Sequence, residues 1–130
     1  MSNKPTNSKI KSILIVDDEP TARTLLRLIL LRAAYTVVEA RDGYEALKKL
    51  EETAVDLVLL DVMMPGMDGI EVCEQIRAAE KTAVVPVLLL SAKTDTLSIR
   101  RGLSAGANLY LTKPISPDTL LTHVRKSLNE

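Results

Sequence analysis

Five polar side chains stand at the ends of apolar runs, and together their types suit the handling of a phosphoryl group. Asp17 and Asp18 follow ILIV, Asp61 follows LVLL, Ser91 follows VLLL, and Lys113 follows LYLT. A lone carboxylate at the end of a buried strand is badly solvated, so Asp61 is costly in a purely neutral role. Three carboxylates brought together repel one another, and a hard divalent cation with oxygen ligands is the usual remedy, with Mg²⁺ the best fit. The cation and Lys113 would leave the cluster formally neutral, able to accept a doubly charged phosphoryl group. Asp61 would then be the nucleophile that forms an acyl phosphate, Ser91 a hydroxyl donor and Lys113 a point charge for the phosphoryl oxygens, with Mg²⁺ bridging nucleophile and phosphoryl. Each residue also has a plainer reading. Asp61 suits a turn, Lys113 a solvated loop, and Ser91 the cap of the following helix.

That chemistry requires the five positions to meet, and the surrounding pattern supplies a way. Ile13 to Val16 reads as a strand, and Pro20 suits the first turn of a helix whose apolar stripe is Ala22, Leu25, Leu26, Ile29, Leu30 and Ala33. Thr36 to Ala40 is a second strand, and Asp42-Gly43 turns into a helix with Ala46, Leu47 and Leu50. LVLLDVMMPGMDG, residues 57–69, is a strand buried on both faces followed by a loop, with a helix from about Ile70 to Glu80. Pro86 opens a fourth strand, a more polar helix spans about Asp95 to Ala105, and Asn108 to Thr112 is a fifth strand. A last helix from about Ser116 carries Leu120, Leu121, Val124 and Leu128. Strands alternating with helices imply βαβ units and a doubly wound parallel sheet, in which the carboxyl ends of all strands share one edge. The chemistry-bearing residues occupy those ends.

The bulk numbers bound the rest. With 130 residues the chain suits one domain, and 17 Lys plus Arg against 17 Asp plus Glu leave no overall field toward nucleic acid or a membrane. No stretch has the length of a membrane span or the layout of a signal peptide, and the single cysteine, Cys73, cannot form an internal disulfide. A reducing cytoplasm is the expected location. Cys73 reads as an apolar filler between Ile70 and Ile76, and His123, on a polar late helix, has no catalytic company. Phe and Trp are absent, which disfavours base stacking and flat-ring cofactors.

The motifs DDEP, LLDVMMPGMDG, SA and YLTKP are jointly specific, and over about Lys11 to Leu128 the chain resembles the receiver domain of bacterial two-component response regulators, of the chemotaxis-receiver type. The resemblance implies a flavodoxin-like α/β fold with strand order 2-1-3-4-5 and five helices. Residues 1–11 would be a flexible tail and 12–130 the receiver domain. By the same resemblance Asp61 accepts a phosphoryl group from a sensor histidine kinase or a histidine phosphotransfer protein. Asp18 and Asp61 would bind Mg²⁺ directly, Asp17 through water and Met63 through its carbonyl. Ser91 and Lys113 would hold the phosphoryl oxygens, and Lys113-Pro114 would be cis. Tyr110 matches the switch aromatic that turns inward as Ser91 moves toward the phosphate, altering the face around Tyr110 and the fourth helix for a downstream effector that the sequence does not name. Tyr110 also reads as simple half-buried packing.

Several positions carry chain-specific expectations. Met63, two residues after the acceptor, has no group to orient a hydrolytic water and is expected to shield the acyl phosphate; Lys93, two after Ser91, is the other position that tunes its lifetime. Receivers of the winged-helix transcription-factor class dimerise through ion pairs made by acids before the switch aromatic. Asn108 and Leu109 stand there instead, so that dimer is not expected, and a weak homodimer stays open. Thr24, Leu28 and Leu31 form a second line on the first helix, either ordinary exposed leucines or a docking surface for a phosphodonor. The domain is expected to bind no nucleic acid directly and to be no enzyme beyond its own phosphorylation and dephosphorylation. A dehalogenase-like phosphatase would want a second Asp at Met63, and a flavin carrier would want hydroxyls where Asp17 and Asp18 stand. A receiver that has lost phosphorylation would lack the full acceptor set.

Overall fold

The computed structural model describes residues 9–130. Its elements run in strict alternation: β1 (Ser12–Val16), α1 (Pro20–Arg32), β2 (Thr36–Ala40), α2 (Gly43–Glu52), β3 (Leu57–Asp61), α3 (Gly69–Ala78), β4 (Val87–Ser91), α4 (Thr96–Ser104), β5 (Leu109–Thr112) and α5 (Pro117–Ser127). The five strands are all parallel, in the order β2-β1-β3-β4-β5. The chain reverses its direction of travel across the sheet between β1 and β3, and in such sheets the crevice at the strands' carboxyl ends opens there. Of the expected tail, residues 1–8 lie outside the described part. Lys11 already serves the sheet, since its carbonyl accepts from Thr36 N–H at 2.9 Å.

Two apolar layers hold the sheet because its side chains alternate between faces. Leu14, Val16, Val58, Leu60, Val87 and Leu89 bury against Ala46 and Leu50 of α2 and Val72, Cys73 and Ile76 of α3. Ile13, Ile15, Leu57, Leu59, Leu88 and Leu90 bury against Leu30 of α1, Leu120 and Val124 of α5, and Leu128 just after it. Every residue of β3 and β4 is buried, which is why those runs read as unbroken apolar stretches rather than as an alternation.

Helix starts are set by side chains that accept otherwise unpaired backbone N–H groups. Glu19, Asp42, Asp68, Asp95 and Ser116 cap α1 to α5 in turn, and Asp68 with Glu71 forms a reciprocal capping box. Pro20 and Pro117 occupy first-turn positions, where their missing N–H costs nothing. Gly69 opens α3 directly under β3. A Cβ there would run into the Asp61 carbonyl oxygen and lie 2.8 Å from Val62 Cα, so only glycine admits this approach.

Some expected boundaries move. Helix α3 stops at Ala78 and is followed by a 3₁₀ turn, Glu80–Thr82, because Thr82 Oγ1 donates back to the Ile76 carbonyl. The fourth strand begins at Val87 rather than Pro86, and Asn108 lies before β5, its side-chain oxygen accepting from Val87 N–H at 2.8 Å. Leu25, expected in the core stripe of α1, is 58 % exposed. The sheet is covered on this face by α1 and α5 with a groove between them, and Leu25 lies on its wall instead of under it.

Candidate functional site

Among the described residues, only three polar or charged residues are buried: Asp17, Asp61 and Ser91. All three lie at the carboxyl edge of the sheet, on β1, β3 and β4 or the residue just after. Burial without partners would be expensive, and each has partners. Asp17 Oδ1 accepts from Glu19 N–H at 2.9 Å, and its Oδ2 lies 3.4 Å from Lys113 Nζ. Asp61 Oδ1 lies 3.5 Å from the same ammonium. Ser91 Oγ accepts from Lys93 N–H at 3.0 Å, which leaves its own hydrogen free to donate.

The register of the sheet explains the meeting. Ser91 pairs with Thr112, and Lys113 N–H donates to the Ser91 carbonyl at 2.8 Å, so the lysine starts one step beyond β5 and reaches back across the ends of β4 and β3. The Lys113-Pro114 peptide is cis, as the resemblance implies. Asp18 is exposed beside Asp17, and carboxylate oxygens of Asp17, Asp18 and Asp61 all lie within 4.8 Å of one another.

Three carboxylates face one ammonium, so the cluster carries uncompensated negative charge. Burial raises the Asp61 pKa above the usual carboxylate value; Lys113 opposes the rise, Asp17 adds to it, and the Met63 backbone N–H and the Lys113 hydrogen bond oppose it. A divalent cation would relieve that repulsion. The donors are all hard oxygens, without a histidine or cysteine, which suits Mg²⁺ or Ca²⁺ rather than a softer metal. Asp18 is open to solvent, matching an ion that keeps several waters.

The remaining sequence candidates sort themselves by position. Tyr110, on β5, is half-buried, and its hydroxyl donates to the Lys93 carbonyl at 2.9 Å. The Lys93 backbone therefore touches Ser91 on one side and Tyr110 on the other. Gly102 of α4 makes room for the ring, since a Cβ there would lie 2.9 Å from Tyr110 Cδ2 and 2.7 Å from Leu89 Cδ1. Ser91 does not cap α4, whose first turn is held by Asp95. Met63 is 54 % exposed, in a depression with Lys93, Ser98 and Arg101. Cys73 is buried, and burial pushes its thiol pKa up, as for an inert filler. His123 lines a shallow depression with Tyr110, Thr112 and Thr119, away from the acids. Leu28 and Leu31 are about half exposed on the outer side of α1.

Two side chains at the edge of the site escaped the sequence reading. Arg23 donates to the Asp17 carbonyl at 2.7 Å and pairs with Glu39 of β2 at 3.1 Å. The sequence holds a trace of the pair, since Glu39 is the one charge in the strand TVVEA, but nothing in it points to the Asp17 carbonyl.

Comparison with known proteins agrees with this geometry. The family model described as the response regulator receiver domain matches residues 13–125. The chain is 47 % identical over 118 residues to the alkaline phosphatase synthesis transcriptional regulatory protein PhoP of Bacillus subtilis, covering 91 % of this chain and 48 % of that protein. It superposes on the Vibrio cholerae chemotaxis protein CheY4 with a TM-score of 0.89 at 33 % identity, over 92 % of this chain and all of that one. The receiver domain of the Pseudomonas aeruginosa sensor histidine kinase PA1611, solved with magnesium coordinated in its active-site cleft, gives a TM-score of 0.87 at 30 % identity, over 94 % of this chain and all of that one. The chain belongs to the response regulator receiver family. It spans about half the length of the curated relatives it matches.

Proposed function

We propose that this receiver operates as a phosphorylation switch in which Asp61 is the acceptor. The observation that carries the reading is that the buried polar residues of the described chain converge on one rim around Asp61, with Lys113 bridging two of them. A carboxylate oxygen of Asp61 attacks phosphorus on the phosphohistidine of a sensor kinase or phosphotransfer protein; the P–O bond forms, the P–N bond breaks, and imidazole leaves. Asp17, Asp18 and Asp61, with the Met63 carbonyl, would hold Mg²⁺, which would supply charge neutralisation at the transferring oxygens. Lys113 and the free Ser91 hydrogen take the phosphoryl oxygens. As Ser91 moves toward them, Lys93 follows through its backbone, and Tyr110, hooked on the Lys93 carbonyl, carries the change to the face beside α4. The protein catalyses only its own modification and its reversal.

The donor's histidine must reach Asp61. The apolar groove between α1 and α5, lined by Leu25, Leu26, Ile29, Pro114 and Ile115, also includes Asp17 and the Lys113 that pairs with Asp61, which supports it over the Leu28 and Leu31 line as the seat of the donor. Asn108 serves the fold, accepting from Val87 N–H and from the Arg77 guanidinium, so it offers nothing to an ion-paired dimer. The receiver unit is taken as 12–130, in the cytoplasm. No helix of the described residues is long and apolar enough to cross a membrane. PhoP is named as a transcriptional regulatory protein, and for this chain the partner downstream is an effector that reads the phosphorylated face.

Rates of labelling by acetyl phosphate with Mg²⁺ test the assigned roles. Lys113→Met and Ser91→Ala should each slow labelling by about 10²-fold, the scale of losing one preorganised donor. Leu25→Glu should leave that rate unchanged while slowing transfer from a phosphohistidine protein. Wild-type rates in Lys113→Met and Ser91→Ala would refute their roles.

A further inference from the structure

Asp17 and Asp18 can hold a cation only if the short connection between β1 and α1 keeps them in place, and the structure shows what fixes it. The Asp17 N–H donates to the Ala40 carbonyl at 3.2 Å, its carbonyl accepts from Arg23 Nη1 at 2.7 Å, and its Oδ1 accepts from Glu19 N–H at 2.9 Å. Arg23 is itself held. Its Nε lies 3.1 Å from Glu39 Oε1, and Arg27 Nε lies 3.4 Å from Glu39 Oε2, so the carboxylate of β2 anchors two turns of α1. The Arg23 side chain is only 20 % exposed.

We propose that Arg23, locked by Glu39, is a positioning residue for the cation site: it pins the Asp17 carbonyl and through that backbone aims both neighbouring carboxylates. The proposal rests on the functional reading above. Mg²⁺ demands near-ideal octahedral geometry at about 2.0–2.1 Å, whereas Ca²⁺ accepts flexible coordination. Groups that orient ligands typically contribute about 10–100-fold to metal affinity. A loosened turn should therefore weaken Mg²⁺ binding more than Ca²⁺ binding.

Charge alone predicts the opposite sign. Removing a cation near three carboxylates strengthens attraction for Mg²⁺, so Arg23→Gln would bind more tightly if Arg23 acted only through its field. Arg23→Lys keeps the charge and the fold, but a single ammonium lacks the planar fork that spans Glu39 and the Asp17 carbonyl together.

The test is calorimetric titration of Mg²⁺ and Ca²⁺ into wild type, Arg23→Gln and Arg23→Lys, without phosphodonor. Positioning predicts an Mg²⁺ Kd raised about tenfold in both variants, with a smaller change for Ca²⁺. Unchanged or tighter Mg²⁺ binding in either variant, or equal losses for both ions, would overturn it. A wild-type chain that binds no Mg²⁺ would instead sink the functional reading itself, and the two failures are told apart by that first titration.

Discussion

At the scale of single residues, the account turns on a carboxylate kept where carboxylates are unstable. Asp61 is buried beside Asp17, and burial raises its pKa, so in the metal-free protein its charge opposes folding. Asp61→Asn should therefore raise the Tm of the protein in chelator by a few degrees while abolishing phosphorylation. A lower Tm, measured by thermal denaturation, would mean that the Lys113 contact outweighs the cost of burial. Met63 makes a separate prediction, since its exposed thioether offers a water nothing to bond. Met63→Asn should shorten the acyl-phosphate lifetime several-fold, read from the decay of labelled protein, and an unchanged decay would remove its shielding role. The residues that end strands were legible in the sequence because a charge or a hydroxyl interrupts apolar runs. Arg23 was not legible as part of the site, because its contact is with a backbone carbonyl, and no residue type marks the acceptor.

At the scale of elements, two devices, one a side chain and the other the lack of one, hold α4 and β5 where the switch needs them. Arg77, at the end of α3, donates to the Gly106 carbonyl at 2.9 Å, the Val85 carbonyl at 2.7 Å and Asn108 Oδ1 at 2.9 Å, tying together the segments that lead into β4 and β5. Arg77→Met keeps the packing of the stem but removes these hydrogen bonds from acceptors that are only part-buried or exposed, with an expected loss of about 1–2 kcal/mol in urea unfolding, the net scale of one or two such bonds. Gly102 is the other device. In Gly102→Ala the gain of about 1 kcal/mol in helix propensity is set against overpacking of about 1–3 kcal/mol, because the added Cβ meets the fully buried Leu89 and the Tyr110 ring. The variant should be no more stable than wild type, and hydrogen exchange at the Lys93 loop should rise as the ring is displaced. Helices α1, α2 and α5 were readable from their periodicity, whereas the end of α3 was not, since Thr82, beyond the helix, donates to the Ile76 carbonyl and Arg77 donates to the Thr82 carbonyl. Leu25 fits the period of α1 and is nonetheless exposed, because periodicity reports the side of a helix and not the width of the neighbour that covers it.

At the scale of the whole molecule, the two apolar layers follow from local patterns, the strand order was legible only through the resemblance to receivers, and Glu130 is tied to a distant part of the chain. Tyr35, just before β2, is buried and donates to Glu130 Oε1 at 2.9 Å. Its pKa is pushed up to about 12 by burial first, then by the Glu130 hydrogen bond and charge. The folded state therefore holds this proton more tightly than the unfolded chain, so the Tyr35 contribution to stability is full below pH 10, the ordinary tyrosine value, and is lost as pH rises toward about 12. Tyr35→Phe should flatten that part of the stability profile relative to wild type, as followed by denaturant unfolding at a series of pH values; parallel profiles would contradict the assignment. The central claim, that Asp61 is the acceptor on a rim built for Mg²⁺, is tested most directly by intact-mass spectrometry after incubation with acetyl phosphate. Wild type with Mg²⁺ should gain a single phosphoryl group, and neither wild type in chelator nor Asp61→Asn with Mg²⁺ should gain any. Equal labelling of Asp61→Asn, or no labelling of a wild-type chain that binds Mg²⁺, would contradict the account.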